Sequence, residues 1–191
     1  MEWYNEPEHW SFKNGKLEID VTSQSDYWRK TLHEFVVDDG PFYYCRRGGE
    51  FEVEVKISGD FKYRYDHMGL MLRIDEEHWV KTGIEYIDEK YNFSTVVTHI
   101  YSNWNILPLI NKPEAIWIKV IRKKDCIEIF YSLDGKYYQL SNLAYFPEQK
   151  PVMAGMMAAS PDGHGFKAIF EDFKITHLPD ARRLEWLMEN K

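Results

Sequence analysis

Cysteine and long apolar runs are scarce in this 191-residue chain. Cys45 and Cys126 are the only cysteines and lie far apart in sequence, so a disulfide framework is not expected. No stretch approaches the roughly 18 apolar residues of a membrane span. The N-terminus lacks the basic segment and apolar run that mark a secretory signal. We therefore expect a cytoplasmic protein with reduced, buried thiols and no membrane contact.

Clustered basic residues are also missing. The formal net charge is −7, and the longest basic run is the triplet Arg122–Lys124. Binding to a phosphate backbone requires a concentrated basic face, which a chain of this charge pattern does not offer. Nucleic acid is therefore excluded as an expected partner.

The sequence lacks the common motifs for metals and nucleotides. Its seven histidines show neither an HxH nor an HExxH spacing, and no glycine-rich loop opens a helix. The turns Asp88–Lys90 and Asp162–His164 carry few acidic groups and neighbouring basic ones, so calcium is not indicated. We expect no metal site and no cofactor.

Aromatic residues are abundant, at 16% of the chain with seven Trp and 13 Tyr. Each ring can bury about 150–250 Å², so most of them are expected to fill a core. The remaining rings are candidates for a sugar-binding or protein-binding surface.

Apolar and polar residues alternate along many short segments, which predicts strands. The predicted strands are Lys16–Val21, Glu50–Ile57, Met68–Ile74, His78–Ile87, Asn92–Ser102, Ala115–Ile121, Cys126–Tyr131, Lys136–Leu140 and Phe166–Thr176. Pro151–Ala159 is a continuous apolar run, which predicts a strand that is buried on both faces or faces an apolar neighbour. Turn residues separate them, and this pattern predicts an all-β fold, a two-sheet antiparallel sandwich of the jelly-roll kind. We expect one sandwich domain over residues 1–177. Residues 178–191 form a C-terminal extension with a helix over Asp180–Glu189, capped by Asp180.

The hairpin Met68–Ile87 has one register that separates apolar from polar residues. A three-residue loop, Asp75–Glu77, places Ile74 opposite His78. The core face then pairs Leu72 with Val80, Leu70 with Thr82, and Met68 with Ile84. The opposite face pairs Arg73 with Trp79, Met71 with Lys81, Gly69 with Gly83, and His67 with Glu85.

This opposite face is the predicted binding face. Gly69 and Gly83 would open a shallow trough for a ligand or another backbone. Trp79 would supply a flat apolar wall with Arg73 at its rim, as in sugar sites. An ordinary solvated sheet face is the alternative. The candidate ligand-binding residues are His67, Arg73, Trp79, Lys81, Glu85, Thr98 and Trp104.

The third strand, Asn92–Ser102, leaves one ambiguity. Val96 and Val97 are adjacent apolar residues, so either Thr98 or His99 could join the polar face. Trp104 is expected in the following loop, where it could cap one end of the trough.

Six phrases of the sequence resemble one family. They are Asp26–Arg29, Tyr65–Met71, Trp79–Glu85, Val96–Thr98 with Ser102–Trp104, Tyr131–Gly135 and Ser160–Phe166. Together they look like the regulation-of-enolase-like family, a domain of unknown function with the concanavalin A-like lectin/glucanase fold. The resemblance covers about Trp3 to Ile175 and implies a jelly roll with a concave face, but no function. Asn103 stands where the family tends to show an acid, which weakens any mechanism that needs a carboxylate there.

Carboxylates that could act in glycoside hydrolysis fall into two groups. Glu50, Glu52 and Glu54 alternate along one strand, but their row continues with Lys56 and fits a solvated face better. Glu85 is the stronger candidate, because the predicted register places it opposite His67 as an acid/base couple or as a structural ion pair.

Three functional hypotheses follow. The leading one is a carbohydrate-binding or sugar-metabolite-binding protein without catalysis, acting on its concave sheet face. A sugar-active enzyme, either a hydrolase or an isomerase, that uses Glu85 is an alternative. The third is a protein-interaction or regulatory module of carbohydrate metabolism, or a homodimer, that uses the apolar side of the C-terminal helix at Leu184, Trp186, Leu187 and Met188.

Overall fold

The computed structural model describes residues 1–148 and 151–189, which form 16 strands and one helix. The strands are β1 (Glu2–Tyr4), β2 (Trp10–Lys13), β3 (Lys16–Asp20), β4 (Tyr27–Arg29), β5 (Val36–Asp38), β6 (Phe42–Arg47), β7 (Phe51–Gly59), β8 (His67–Arg73), β9 (His78–Ile87), β10 (Lys90–His99), β11 (Tyr101–Pro108), β12 (Ile116–Lys123), β13 (Cys126–Ser132), β14 (Gln139–Tyr145), β15 (Val152–Ala159) and β16 (Lys167–His177). The helix is α1 (Ala181–Glu189).

Two antiparallel seven-stranded sheets form the sandwich. The first sheet has the order β1-β6-β15-β8-β9-β10-β11, and the second has the order β14-β13-β12-β7-β16-β3-β2. Strands β4 and β5 pair separately as a short hairpin. The predicted two-sheet jelly-roll sandwich with a short C-terminal helix is confirmed.

The main core lies between the two sheets. It contains the inward row of β7 (Phe51, Val53, Val55 and Ile57), which the alternation predicted, together with Leu70, Leu72 and Val80 from the first sheet. At about 25 cal/mol per Å² of buried apolar surface, this layer is the main source of stability.

A second, smaller core lies on the outer face of the first sheet. Its buried members are Tyr27, Phe42, Tyr44, Met71, Trp79, Val96, Met153, Met157 and Ala159. Strand β15 contributes to both cores, and all of its residues are buried. The continuous apolar run at Pro151–Ala159 is explained by this burial on both faces.

Several strand boundaries differ from the prediction. The segment predicted as one strand, Asn92–Ser102, is two strands, β10 and β11, because the chain reverses at Ile100 with a φ of 65°. Trp104 therefore lies within β11 and not in a loop. The strand expected at Lys136–Leu140 begins only at Gln139. Strands β1, β2, β5 and β6 had no clear alternation in the sequence.

The C-terminal helix begins one residue later than predicted, with Asp180 as its cap. The Arg183 N–H donates to Asp180 Oδ1 at 3.0 Å, and the Ala181 N–H donates to Glu50 Oε2 at 3.1 Å. None of its described residues is buried. The described part of the chain contains no helix with the length and hydropathy needed to cross a membrane. Both cysteines are free and partly buried, rather than fully buried as expected.

Candidate functional site

The predicted register of the β8–β9 hairpin is confirmed. His67 pairs with Glu85, Gly69 with Gly83, Met71 with Lys81, and Arg73 with Trp79. Strand β10 extends this face, because Thr98 pairs with Trp79 and Val96 pairs with Lys81. Thr98 is thus the residue on the polar face, and His99 points to the other side.

Gly69 and Gly83 face each other and allow their two strands to approach closely, which leaves no room for a ligand between them. A Cβ built on Gly83 would lie 2.0 Å from the Met68 carbonyl oxygen and 2.7 Å from the Gly69 Cα. The space that remains beside Gly83 has a volume of only about 10 Å³. The prediction of an open trough at these glycines is therefore wrong, since the close approach of two strands uses the room they provide.

Three predicted ligand-binding residues are buried away from solvent. Trp79 is only 2% exposed and packs edge-on against Tyr27, so its indole is not an open wall. Arg73 pairs with Asp38, through hydrogen bonds of 2.7 and 2.6 Å. Thr98 shares a hydrogen bond of 2.9 Å with the Ser102 hydroxyl. These positions serve the second core, Trp79 by packing and Arg73 and Thr98 through their side-chain hydrogen bonds.

The β4–β5 hairpin is what covers this face. Tyr27 fills the second core, and the Tyr27 hydroxyl donates to the Gly40 carbonyl at 2.5 Å. Asp38 at the end of β5 receives the Arg73 guanidinium, and the Arg29 N–H donates to Ser102 Oγ at 3.0 Å. These contacts tie the hairpin to β8 and β11, so the outer face is only partly open.

A buried charge cluster lies at one edge of the cover. Lys81 Nζ donates to Asp26 Oδ1 at 3.0 Å and to His67 Nε2 at 2.9 Å. His67 Nδ1 lies 2.7 Å from the Tyr65 carbonyl oxygen, which can only accept. Nδ1 therefore carries the proton, and Nε2 offers its lone pair to the ammonium of Lys81.

The pKa values in this cluster follow from the geometry. Burial lowers the pKa of His67 from its ordinary value, and the neighbouring Lys81 lowers it further. Burial alone would raise the pKa of Asp26, but Lys81 and His67 outweigh this and leave the pKa below its ordinary value. The cluster is accordingly a neutral imidazole, an ammonium and a carboxylate at neutral pH.

Glu85 and His67 do not pair directly, although their backbones are opposite each other. Glu85 Oε2 instead accepts a hydrogen bond of 2.8 Å from Trp104 Nε1, which also contacts Ser94 Oγ at 3.1 Å. The predicted ion pair or acid/base couple of Glu85 with His67 is not formed, because Lys81 occupies the imidazole.

Lys81, Glu85 and Trp104 meet in one cleft of about 370 Å³. This volume is within the range of about 300–1,000 Å³ that is typical of small-molecule sites. The cleft is lined by Asp26, Trp28, Leu32, His33, Phe35, Tyr65, Lys81, Glu85, Val96, Trp104, Pro161 and Asp162. We call it the hairpin cleft, because residues of the β4–β5 hairpin and its tip form one wall.

Three larger depressions are weaker candidates. One of about 420 Å³ is lined in part by the buried residue Arg122, but that guanidinium donates to the carbonyls of Pro147 and Glu148. Of the other two, one of about 850 Å³ lies along the loop 108–115, and one of about 550 Å³ lies around Asp60 and Lys167. None of the charged side chains that line these two is buried, whereas Lys81 and Glu85 in the hairpin cleft are only 7% and 8% exposed. Buried charged groups facing a cleft are more typical of a functional site than surface charges are.

The structure brings three of the seven predicted ligand-binding residues into the cleft, and His67 supports them from behind. The residues that were missed, chiefly Asp26, Trp28, Tyr65 and Asp162, come from other elements. The sequence did hold a signal for them, since five of the six phrases that carry the family resemblance contribute lining residues. Hairpin periodicity alone could not have located them.

The other predicted carboxylates lie elsewhere. Glu52 and Glu54 face outward from the second sheet, where Lys119 Nζ lies 3.7 and 3.0 Å from their carboxylates. Glu50 accepts hydrogen bonds from the N–H groups of Lys124 and Ala181. Within residues 1–148 and 151–189, no group of three or more His, Cys, Asp or Glu side chains could hold a metal ion.

Comparison with known proteins identifies relatives over nearly the whole chain. The model of the family described as "Protein of unknown function (DUF1349)" matches residues 3–178. The Saccharomyces cerevisiae protein named Regulation of enolase protein 1 is 32% identical over 174 residues, which cover 91% of this chain and 88% of that protein.

Solved structures give the same result at the level of fold. A functionally unknown protein from Saccharomyces cerevisiae superposes with a TM-score of 0.89 at 31% identity, covering 93% of this chain and 96% of that one. The carbohydrate binding module CBM66 from Bacillus subtilis superposes with a TM-score of 0.58 at 12% identity, covering 92% and 95%. At that identity the second likeness is one of fold alone.

Proposed function

The chain belongs to the DUF1349 family of proteins of unknown function, and from that premise we propose that it binds a carbohydrate or sugar-like metabolite without catalysis. The ligand would occupy the hairpin cleft. The proposed site lies on the same face of the first sheet as the site predicted from the sequence, but nearer to β11.

The observation that carries the proposal is the pairing of open rings with fixed polar groups. Trp28, Tyr65 and Trp104 present ring surface to the cleft, while Lys81 and Glu85 are held by hydrogen bonds at its base. Sugars have apolar faces that stack on such rings and hydroxyls that bond to fixed donors and acceptors. The shared fold with a carbohydrate binding module adds support at the level of architecture.

A catalytic role for the cleft is the less favoured alternative. Both ring nitrogens of His67 are engaged, by Tyr65 and by Lys81, so the imidazole has no free position for proton transfer. One oxygen of Glu85 is held by Trp104. Glu85 Oε1 is free, but Glu85 shares no hydrogen bond with a second acid or base of the described residues, so these contacts argue for binding rather than turnover.

Calorimetric titration with a panel of neutral mono- and disaccharides tests the proposal. We expect at least one sugar to bind, and Trp104→Ala to weaken that binding by on the order of tenfold, since stacking on one aromatic side chain contributes about 1–3 kcal/mol where nucleic-acid bases are the ligand. The matched control is Trp10→Ala, because Trp10 is 39% exposed against 40% for Trp104, and each indole N–H donates to a glutamate. No binding by any sugar, or equal binding by both variants, would contradict the proposal.

A regulatory interaction with another protein is a second candidate function. Leu184, Leu187 and Met188 of α1 are exposed, and the helix is tied to the sandwich mainly by its first turn and by ion pairs. The name of the yeast relative points to enolase as the partner to test. The two free thiols suit the cytosol, where both functions would operate.

Sedimentation of the full chain with purified enolase tests this second candidate. We expect a complex that Leu184→Ser combined with Leu187→Ser abolishes, because those changes remove apolar contact area. An unchanged sedimentation coefficient with the unmodified chain would rule it out.

A further inference from the structure

The hairpin cleft has an excess of negative charge. Three carboxylates line it, from Asp26, Glu85 and Asp162. Among the described lining residues, Lys81 is the one lysine or arginine. The cleft therefore has about two more negative than positive charges.

The single ammonium is already occupied. Lys81 Nζ lies 3.0 Å from Asp26 Oδ1 and 2.9 Å from His67 Nε2, so two of its three protons are used inside the protein. An anionic ligand would find this charge largely compensated by Asp26. It would also meet the carboxylates of Glu85 and Asp162, neither of which forms an ion pair with a described residue.

In contrast to the ammonium of Lys81, the carboxylate of Glu85 keeps one oxygen that accepts no hydrogen bond from a described residue. The Glu85 side chain is more than nine-tenths buried and faces the cleft. Trp104 Nε1 donates to Oε2, and no residue in the described part of the chain donates to Oε1. An ionised carboxylate can only accept, so Oε1 offers an acceptor to a donor group of a ligand in the cleft.

The rings around the cleft favour the same kind of ligand. Trp28, Phe35, Tyr65 and Trp104 all contribute to its walls. Aromatic faces carry negative electrostatic potential and attract ammonium groups, most strongly where water is partly excluded. Carboxylates combined with several aromatic faces are more suitable for a cation than for a neutral group, and least suitable for an anion.

We propose that the hairpin cleft selects sugar-like ligands that carry a protonated amine, of the amino-sugar class, with Glu85 Oε1 as the acceptor for the ammonium. The same arrangement discriminates against phosphorylated and acidic sugars. This inference rests on the proposed carbohydrate-binding function, and it adds the charge class of the ligand.

The test uses nine ligands, namely glucose, galactose and mannose, each as the neutral sugar, the 2-amino sugar and the 6-phosphate. Titration of the full chain at low and at physiological ionic strength gives the dissociation constants. We expect the amino form of the preferred sugar to bind on the order of tenfold more tightly than its neutral form, since hydrogen bonds between charged groups are the stronger kind. The 6-phosphates should bind at least that much more weakly than the neutral forms, and the differences should shrink with salt.

Substitutions then assign the selectivity to residues. Glu85→Gln keeps the shape and removes the charge, so the ratio of the neutral-sugar to the amino-sugar dissociation constant should fall from about tenfold to about threefold or less. Asp162→Asn, at an exposed position, should lower that ratio by about two- to threefold, and it remains informative if Glu85→Gln does not fold. Glu54→Gln on the outer face of the second sheet is the control and should leave the ratio unchanged.

The outcomes separate the two proposals. Binding of neutral or phosphorylated sugars with no preference for the amine would overturn the charge inference and leave carbohydrate binding in place. No binding by any of the nine ligands would overturn both. An amine preference that Glu85→Gln leaves undiminished would overturn the assignment to Glu85.

Discussion

The outer faces of the two sheets are built from similar alternating sequences, but one is exposed to solvent and the other is largely buried. On the second sheet, Lys119 lies 3.0 Å from Glu54 and Lys56 lies 3.0 Å from Glu171, and all four side chains are partly exposed. On the first sheet, Arg73 and Lys81 are buried and paired with the carboxylates of Asp38, at the end of β5, and Asp26, just before β4. The difference is due to the β4–β5 hairpin, which covers the first sheet. It converts a polar sheet face into a second core with the hairpin cleft at its edge.

The cover also changes what each charge contributes. Exposed ion pairs typically contribute about 0–1 kcal/mol, because water solvates and screens both partners. A buried pair contributes little in net terms when intact, but breaking it leaves an uncompensated charge in a poorly solvated place. The two faces should therefore respond very differently to matched substitutions.

The largest difference is expected between two tryptophans. Trp79→Ala should lower the free energy of unfolding by about 3–5 kcal/mol, because it empties a packed position of the second core. Trp117→Ala, on the partly exposed outer face of the second sheet, should cost less than half as much. Urea unfolding of both variants measures this, and equal losses would mean that the hairpin does not seal the first sheet.

A smaller difference is expected between two cations. Arg73→Met should lower the free energy of unfolding by about 2–3 kcal/mol, since it leaves Asp38 without its cation, although the Tyr4 hydroxyl still donates to that carboxylate and solvent reaches part of it. Lys119→Met should change it by less than about 1 kcal/mol. Similar values for the two variants would show that the Arg73–Asp38 pair behaves as a surface pair.

Glycine substitutions provide a third comparison. In Gly83→Ala the new methyl group meets the Met68 carbonyl, so β8 and β9 must separate, with an expected loss of about 2 kcal/mol in unfolding free energy. Gly48→Ala has no neighbouring atom within 4 Å and should be nearly neutral. A neutral Gly83→Ala, measured by the same urea titration, would mean that the glycines do provide open space.

The smallest expected effect is a pH dependence. The pKa of His67 is lowered in the folded protein from its ordinary value of 6.5. As the pH falls below 6.5, the unfolded chain therefore protonates this imidazole while the folded chain keeps it neutral. Stability supplied by neutral His67 is thus present above that pH and declines as the pH falls, by at most about 1.4 kcal/mol per pH unit.

His67→Gln should flatten this decline between pH 7.5 and 5.5. The lowered pKa of Asp26 acts only in more acidic solution, so it does not interfere in this window. His164→Gln, at an exposed position, is the control and should keep the slope of the unmodified chain. Equal slopes for the His67 variant and the unmodified chain would show that the imidazole titrates normally.

Much of the fold could be predicted from the sequence because period-two alternation determines the register within a hairpin. The β8–β9 pairing depends only on residues close in the chain, and it was correct at every pair. The reversal at Ile100 was missed because a β-branched residue with a positive φ gives no turn signal.

The site was predicted less well, because its cover comes from distant elements. The contacts Arg73–Asp38 and Lys81–Asp26 join residues 35 and 55 positions apart, and no local periodicity reports them. Trp79 and Thr98 were therefore assigned to an open face that is closed. Lys81, Glu85 and Trp104 were predicted as ligand-binding residues and do line the hairpin cleft, because they lie beside the edge of the β4–β5 hairpin.

The most direct test of a ligand site in the hairpin cleft is the response of the tryptophan indole N–H signals in ¹H–¹⁵N NMR spectra. The chain has seven tryptophans, of which Trp28 and Trp104 line the cleft while Trp10 and Trp117 lie outside it. On titration with the sugars and amino sugars named above, we predict shifts at Trp104 and Trp28 with Trp10 and Trp117 unmoved. Shifts confined to Trp10 or Trp117, or no shifts with any of these ligands, would contradict the account.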